Sequence, residues 1–215
     1  KLIWLDTVEN PEGQMELIIK YRGSTNEENA AVLLEIRDKN NVLLKEKGEL
    51  RQDTARVKTA VFKCQGVLCW TPEDPALYQV NIVLELSDKN NEKTYIRHGQ
   101  KLGFRSLKRQ NQQVFWNHKP VKLLGISYRE PDFKMENWET VLRRDLELFK
   151  AAHVNFIRSI YYPFSEKMLE LCDEMGFWVE NTAPFYELGQ TKKNISELPH
   201  MQKEFETAAE ELLAN

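Results

Sequence analysis

The chain has 215 residues, 41% hydrophobic and 29% charged, with a formal net charge of -3. That length allows one or two domains around a sizeable core. Acidic and basic residues are mixed along it, with Lys108-Arg109 the densest basic spot and read as a solvated linker, so nucleic acid is not an expected partner. No apolar run approaches the roughly 20 residues that span a bilayer, so no membrane partner is expected.

The start, Lys1-Leu2-Ile3-Trp4-Leu5-Asp6, lacks the pattern of a signal peptide. It is read as a mature product or an excised piece of something longer, and localisation stays open between cytoplasm and a secreted or periplasmic compartment. Cys64 and Cys69 lack the second Cys/His pair of a zinc site, and Cys172 reads as a buried small hydrophobe. His98, His118, His153 and His200 are scattered, so no metal and no cofactor are expected. Asn194-Ile195-Ser196 fits a glycosylation sequon, a motif short enough to arise by accident.

Residues 1 to about 107 read as all-β. In Tyr78–Leu86, Tyr78, Val80, Ile82, Leu84 and Leu86 alternate with Gln79, Asn81 and Glu85, the period of a half-buried strand. Leu17-Ile19-Tyr21 and Val32-Leu34-Ile36 repeat the pattern, and Val57–Lys63 is a further candidate. Asp38-Lys39-Asn40-Asn41 and Asp88-Lys89-Asn90-Asn91 carry the chemistry of hairpin loops. Short strands at regular spacing predict an immunoglobulin-type β-sandwich.

The character changes after Arg105. Val114–Trp116, Asn117–Lys119 and Pro120–Leu124 read as a small hairpin leading into an apolar strand that ends near Ser127. Trp138, Val141, Leu142, Leu146, Phe149 and Ala152 recur at helical spacing. Asn155–Arg158 reads as a strand. Ser165 can cap a helix to Met175 with Gly176 as its stop, and Phe177–Glu180 is a third strand. An irregular loop and a last helix from about Met201 to Leu213 follow. This β-α-β-α-β-α order predicts parallel strands. An eight-fold barrel takes about 250 residues, so only about three βα units fit. The expected fold is multidomain β plus α/β: a sandwich over 1–107 and a truncated barrel portion over 108–215.

The order of motifs resembles glycoside hydrolase family 2, which holds the β-galactosidases, β-glucuronidases and β-mannosidases. Trp70-Thr71-Pro72-Glu73-Asp74-Pro75-Ala76-Leu77-Tyr78, Gly103-Phe104-Arg105 and Phe115-Trp116-Asn117-His118-Lys119-Pro120-Val121 resemble its stretches in order. So do Asp145-Leu146 with Lys150, Asn155-Phe156-Ile157-Arg158, Tyr162-Pro163 and Leu171-Cys172-Asp173-Glu174 with Gly176. The resemblance implies a central immunoglobulin-like domain followed by the N-terminal part of a TIM barrel. It also implies a retaining enzyme with two catalytic glutamates on later strands, outside this chain.

What the family does with these positions sets the site expectations. Arg158 matches the arginine that supports the nucleophilic glutamate. Tyr161 stands where a sugar-contacting histidine is usual, Asn181-Thr182 where Asp-Glu is usual, and Glu130 is the one match in Tyr128-Arg129-Glu130. Glu130, Tyr161 and Asn181 are therefore the expected substrate contacts, with no catalytic residue in the chain. Asp132, Glu180 and Glu187 are read as solvated carboxylates, and Trp138 and Trp178 as core. The implied partner is a β-glycoside bound by the full-length parent, of β-galactoside type. The chain alone is expected to be inactive, and self-association through an open barrel edge is expected. The alternative is a non-catalytic module that binds carbohydrate or another protein.

Overall fold

The alternating apolar runs of the first half become strands in a computed structural model, which describes residues 2–23, 27–54, 57–88, 90, 92–182, 203, 206 and 207. In chain order they are β1 (Leu2–Glu9), β2 (Met15–Arg22), β3 (Glu27–Asp38), β4 (Asn41–Glu49), β5 (Arg51–Gln52), β6 (Val57–Cys64), β7 (Tyr78–Asp88) and β8 (Lys93–Leu102). They form two four-stranded antiparallel sheets, ordered β1-β2-β6-β5 and β4-β3-β7-β8. This distribution of strands between two sheets is that of an immunoglobulin-type sandwich. The chain divides into two compact units: Lys1–Thr71 with Ala76–Val121, and Pro72–Pro75 with Lys122 onward.

The core of the first unit follows from period-two alternation. Leu17, Ile19 and Tyr21 of β2, Val32, Leu34 and Ile36 of β3, and Val80 and Leu84 of β7 are fully buried. Each such side chain contributes about 1.5–3 kcal/mol of transfer free energy. Tyr78 opens β7, and its phenol oxygen accepts from the Leu68 N–H at 2.7 Å. β1 carries no alternation, because Leu2 to Leu5 are all partly buried along a sheet edge.

The loops behave as Asp and Asn chemistry dictates. Lys39 takes a left-handed φ of 51° in the turn between β3 and β4. The Asp88 carboxylate accepts from the N–H groups of Asn90 and Glu92, both at 2.9 Å. In that second loop Lys89 and Asn91 lie outside the described residues.

The expected hairpin is larger than its sequence signal. β9 (Leu107–Gln110), β10 (Gln113–Trp116) and β11 (Lys119–Pro120) form a three-stranded antiparallel sheet that belongs to the first unit. Asn111-Gln112 and Asn117-His118 all have positive φ, the backbone of two-residue hairpin turns. Lys108 is correspondingly not a free linker charge, since its Nζ pairs with Glu9 at 2.9 Å. Glu9 also meets His118 Nε2 at 2.8 Å. These two partners, Lys108 first, hold the Glu9 carboxyl below the usual carboxylate range.

Trp70 anchors the same region. Its carbonyl accepts from Trp116 Nε1 at 2.9 Å and Asn117 Nδ2 at 3.0 Å, and its ring meets Trp116 edge-on. A Cβ at Gly103 would lie 2.7 Å from the Trp70 side chain, so glycine is required there by space.

The second unit contains β12 (Gly125–Tyr128), α1 (Trp138–Ala151), β13 (Phe156–Ser159), α2 (Glu166–Met175) and β14 (Trp178–Glu180). Its sheet has the order β12-β13-β14, parallel throughout. One expectation needs refining: between β11 and β12 the apolar run Val121–Leu124 is not strand, and Leu123 and Leu124 are 51% and 53% exposed. The Asn155 side chain explains this. It accepts from Leu124 N and donates to Lys122 O, so the backbone on either side of Leu123 bonds to one side chain, and only Leu124 O takes bonds from the backbone N–H groups of Asn155 and Phe156 among the described residues.

Leu142 and Leu146 of α1 are buried against Ile157, Met168, Leu171 and Cys172, while Ala152 is the exposed C-cap. Ser165 caps α2 through Met168 N, and Gly176 ends it in the left-handed region at φ 78°. A Cβ on Gly176 would overlap the Pro72 carbonyl, which packs directly on it. Trp138 packs on this core as expected. Trp178 does not lie with it, because it precedes Val179 on the opposite side of the strand. The expected loop and last helix lie outside the described residues, except that Lys203, Glu206 and Thr207 are helical. Among the described residues no helix is long and apolar enough to cross a membrane.

Candidate functional site

Three parallel strands place their C-terminal ends together, the end at which barrel sites are built. Register aligns Gly125, Phe156 and Trp178 in one row and Ser127, Arg158 and Glu180 in the next. Ile126, Tyr128, Ile157 and Val179 pack toward the helices. Alternation therefore turns Phe156, Arg158, Trp178 and Glu180 to the other face of the sheet. The Phe156 ring crosses Gly125, where a Cβ would lie 2.6 Å from it.

Arg158 Nε lies 3.1 Å from Glu180 Oε1, and the two side chains are 58% and 54% exposed. An exposed pair of this kind is worth about 0–1 kcal/mol. It orients the guanidinium without locking it.

The other expected site residues sit around the segment that follows β13. Glu130 accepts from Ser165 N at 2.9 Å and from Ser165 Oγ at 2.6 Å, one bond to each carboxylate oxygen. Asn181 Oδ1 accepts from Phe164 N at 2.7 Å. Thr182 donates its N–H to Ser159 Oγ at 2.6 Å and its hydroxyl to Ser159 O at 2.8 Å. Tyr161 is 41% exposed and has φ 70°. The fold thus gathers Glu130, Arg158, Tyr161 and Asn181 at one end of one sheet. Arg158, Glu130 and Asn181 each bond to a residue outside that set. Asp132 caps its own loop through Lys134 N, and Glu187 lies outside the described residues.

The supports of this site were only partly legible. Tyr128, half-buried between Phe149 and Phe164, donates to Asp145 Oδ2 at 2.7 Å and ties β12 to α1. Burial, together with that carboxylate, pushes its phenol well above the usual range. Lys150 Nζ donates to Gly176 O and Pro72 O, and burial lowers its pKa. A cleft of about 340 Å³ on α1 and α2, lined by Glu139, Arg143, Glu147 and Lys167, lies on the helix flanks, away from the strand ends. Among the described residues no three His, Cys, Asp or Glu side chains gather as a metal site.

Two family profiles cover nearly the whole chain. The profile of glycosyl hydrolases family 2 matches residues 3–105, and that of the family's TIM barrel domain matches residues 107–213. The chain belongs to glycosyl hydrolase family 2. This family 2 chain is 30% identical over 139 residues to the β-galactosidase of Staphylococcus xylosus, covering 64% of this chain and 13% of that protein. It is 27% identical over 191 residues to the β-galactosidase of Lactobacillus delbrueckii subsp. bulgaricus, covering 87% and 18%. It therefore spans less than a fifth of the length of these relatives.

Solved structures agree on the fold of this family 2 chain. A GH2 β-galacturonidase from Eisenbergiella tayi bound to glycerol has a TM-score of 0.67 at 22% identity, over 100% of this chain and 37% of that one. The β-glucuronidase of Parabacteroides merdae has a TM-score of 0.61 at 22% identity, over 83% and 23%. An immunoglobulin-like domain followed by the start of a TIM barrel is the family 2 arrangement.

Proposed function

We propose that this family 2 chain supplies the immunoglobulin-like domain and the opening βα units of a retaining glycoside hydrolase. The substrates are β-glycosides of β-galactoside type, and the catalytic glutamate pair lies outside residues 1–215. Retaining enzymes set two carboxyl groups about 5–5.5 Å apart, one as nucleophile and one as acid/base.

The observation that carries this reading is the position of Arg158. It lies one residue before the end of β13, on the face turned away from the helices, where it makes an exposed ion pair with Glu180. A guanidinium so placed can exchange Glu180 for a carboxylate arriving from a later strand. There it keeps the nucleophile ionised and fixes its plane. Glu180, already facing Arg158, serves as placeholder and orienter rather than as nucleophile.

The test is a chimera in which this chain replaces the corresponding stretch of the S. xylosus β-galactosidase. The chimera should hydrolyse para-nitrophenyl β-D-galactoside with retention. Arg158→Ala should then lower kcat on the order of 10²-fold, the scale of losing one electrostatic contact in a site. A folded, active chimera indifferent to Arg158→Ala would contradict the reading.

The edge of β12, which pairs only with β13 among the described residues, also offers a place for a second copy to add a strand. Light scattering should show self-association, and a monodisperse monomer would count against it.

A further inference from the structure

The two outer faces of the sandwich differ in kind. Residues paired across antiparallel strands share a face, so register assigns each side chain to one. On the sheet ordered β4-β3-β7-β8 the outward charges are closed by their own ion pairs. Arg37 and Lys45 meet Glu35 at 2.6 and 3.5 Å, and Lys47 and Lys93 meet Glu85 at 3.8 and 2.7 Å. That face is suited to water.

The sheet ordered β1-β2-β6-β5 is apolar on both sides. Its inward side chains, among them Leu17, Ile19, Tyr21, Ala60 and Phe62, belong to the core. Its outward ones include Leu2, Trp4 and Val8 of β1, Ile18 of β2, and Val57 and Val61 of β6, which register sets in neighbouring rows. Among the described residues none of these six belongs to the core cluster. Val8 and Val61 are 39% and 53% exposed. The Arg22 guanidinium stacks over the Trp4 ring at 5.4 Å, and Trp and Arg are residue types that anchor interfaces. An antiparallel sheet of this kind ordinarily turns a polar face to water, and a contiguous apolar patch marks an interaction site.

The charges around this patch are sorted along the strands. The end at Leu2 carries Lys20, Arg22 and Arg51 against one carboxylate, Asp53, which accepts from the Thr59 hydroxyl. The end at Val8 carries Asp6, Glu12 and Glu16 against one cation, Lys63, which lies 3.8 Å from Glu12. A partner that fits must be apolar at its centre, with charges running the opposite way. The same face turned about a two-fold axis across the strands meets both conditions, since its acidic end then lies over the basic end.

We infer that two copies of this chain pack face to face through β1, β2 and β6, with Trp4, Ile18 and Val61 central and the strands of the two copies running in opposite directions. The inference is independent of the glycoside reading and uses a surface separate from the edge of β12.

Sedimentation velocity of the full chain tests it. Over about 1 µM to 1 mM, the affinity range of modest interfaces, the chain should show a monomer–dimer equilibrium. Val61→Lys should weaken dimerisation on the order of 10²-fold, because a two-fold interface contains each position twice. Lys20→Glu and Asp6→Lys should each weaken it about tenfold, and the double variant, which reverses both ends, should return it to within about threefold of the original. Thermal unfolding of the dilute, monomeric variants should match that of the unaltered chain, so that the loss is of association and not of folding. If Val61→Lys does not fold, the charge-reversal series decides alone.

A chain that stays monomeric at the top of the concentration range overturns the inference. A dimer indifferent to Val61→Lys would belong to another surface and overturns it too. So does a double reversal that combines the losses of its two single variants, because opposite ends would then not meet.

Discussion

Lys150 Nζ lies 2.7 Å from the carbonyl oxygen of Gly176, the residue that ends α2. The same ammonium reaches Pro72 O at 2.9 Å and lies 4.7 Å from the centre of the Phe177 ring. One cation thus gathers the end of α2, the approach to β14 and the 72–75 segment. Lys150→Met keeps the apolar stem but leaves two carbonyls without their charged donor. It should destabilise the second unit by about 2–3 kcal/mol, since hydrogen bonds to charged groups contribute about 1.5–3 kcal/mol. Urea unfolding followed by fluorescence of Trp138 and Trp178 would measure it, and a change below 0.5 kcal/mol, the scatter expected of neutral surface changes, would contradict this role.

Glycine is required at position 176 by conformation and by space together. Gly176→Ala should cost about 3 kcal/mol or more, because the added methyl overlaps the Pro72 carbonyl in a backbone it already disfavours. Gln112 is the opposite case, a side chain held at φ 66° in a hairpin turn that favours glycine. Gln112→Gly should raise stability by about 0.5–1 kcal/mol, the scale on which such backbone mismatches act. Thermal unfolding of both variants reads the two signs, and a stabilising Gly176→Ala would overturn the packing argument.

Burial pushes the Cys64 thiol up to about 11 from an ordinary value of 9.0. The folded state therefore holds its proton after the unfolded chain has released it. This raised pKa gives a contribution that is fully present below about pH 9 and is lost as pH rises toward about 11. At about 1.4 kcal/mol per unit, the loss amounts to about 2–3 kcal/mol. Unfolding free energies measured from pH 8 to 11 should fall for the unaltered chain and fall less for Cys64→Ala. Parallel curves would show that Cys64 is not the group responsible.

The sequence reveals elements whose stabilising pattern is local, and it hides those stabilised from a distance. Alternation from Tyr78 to Leu86 and the Ser165 and Gly176 caps could be read directly, because each signal lies within one element. Leu123 and Leu124 look like strand, yet the Asn155 side chain, 31 residues on from Leu124, holds Leu124 N and Lys122 O. The partners of Lys150 lie 26 and 78 residues away, so its role is invisible until the chain folds. Arg158 could be singled out, but its pairing with Glu180 depends on the parallel register of β13 and β14. Glu130 and Asn181 read as substrate contacts by position, and only the folded loop reveals that each holds backbone.

We propose that residues 1–215 present an orienting arginine, Arg158, but no catalytic pair. The most direct test is nitrophenolate release from para-nitrophenyl β-D-galactoside by the 215-residue chain itself. The account predicts no release above buffer at any chain concentration. Release that rises in proportion to the chain, and that survives further purification, would place a catalytic pair within these residues and contradict it.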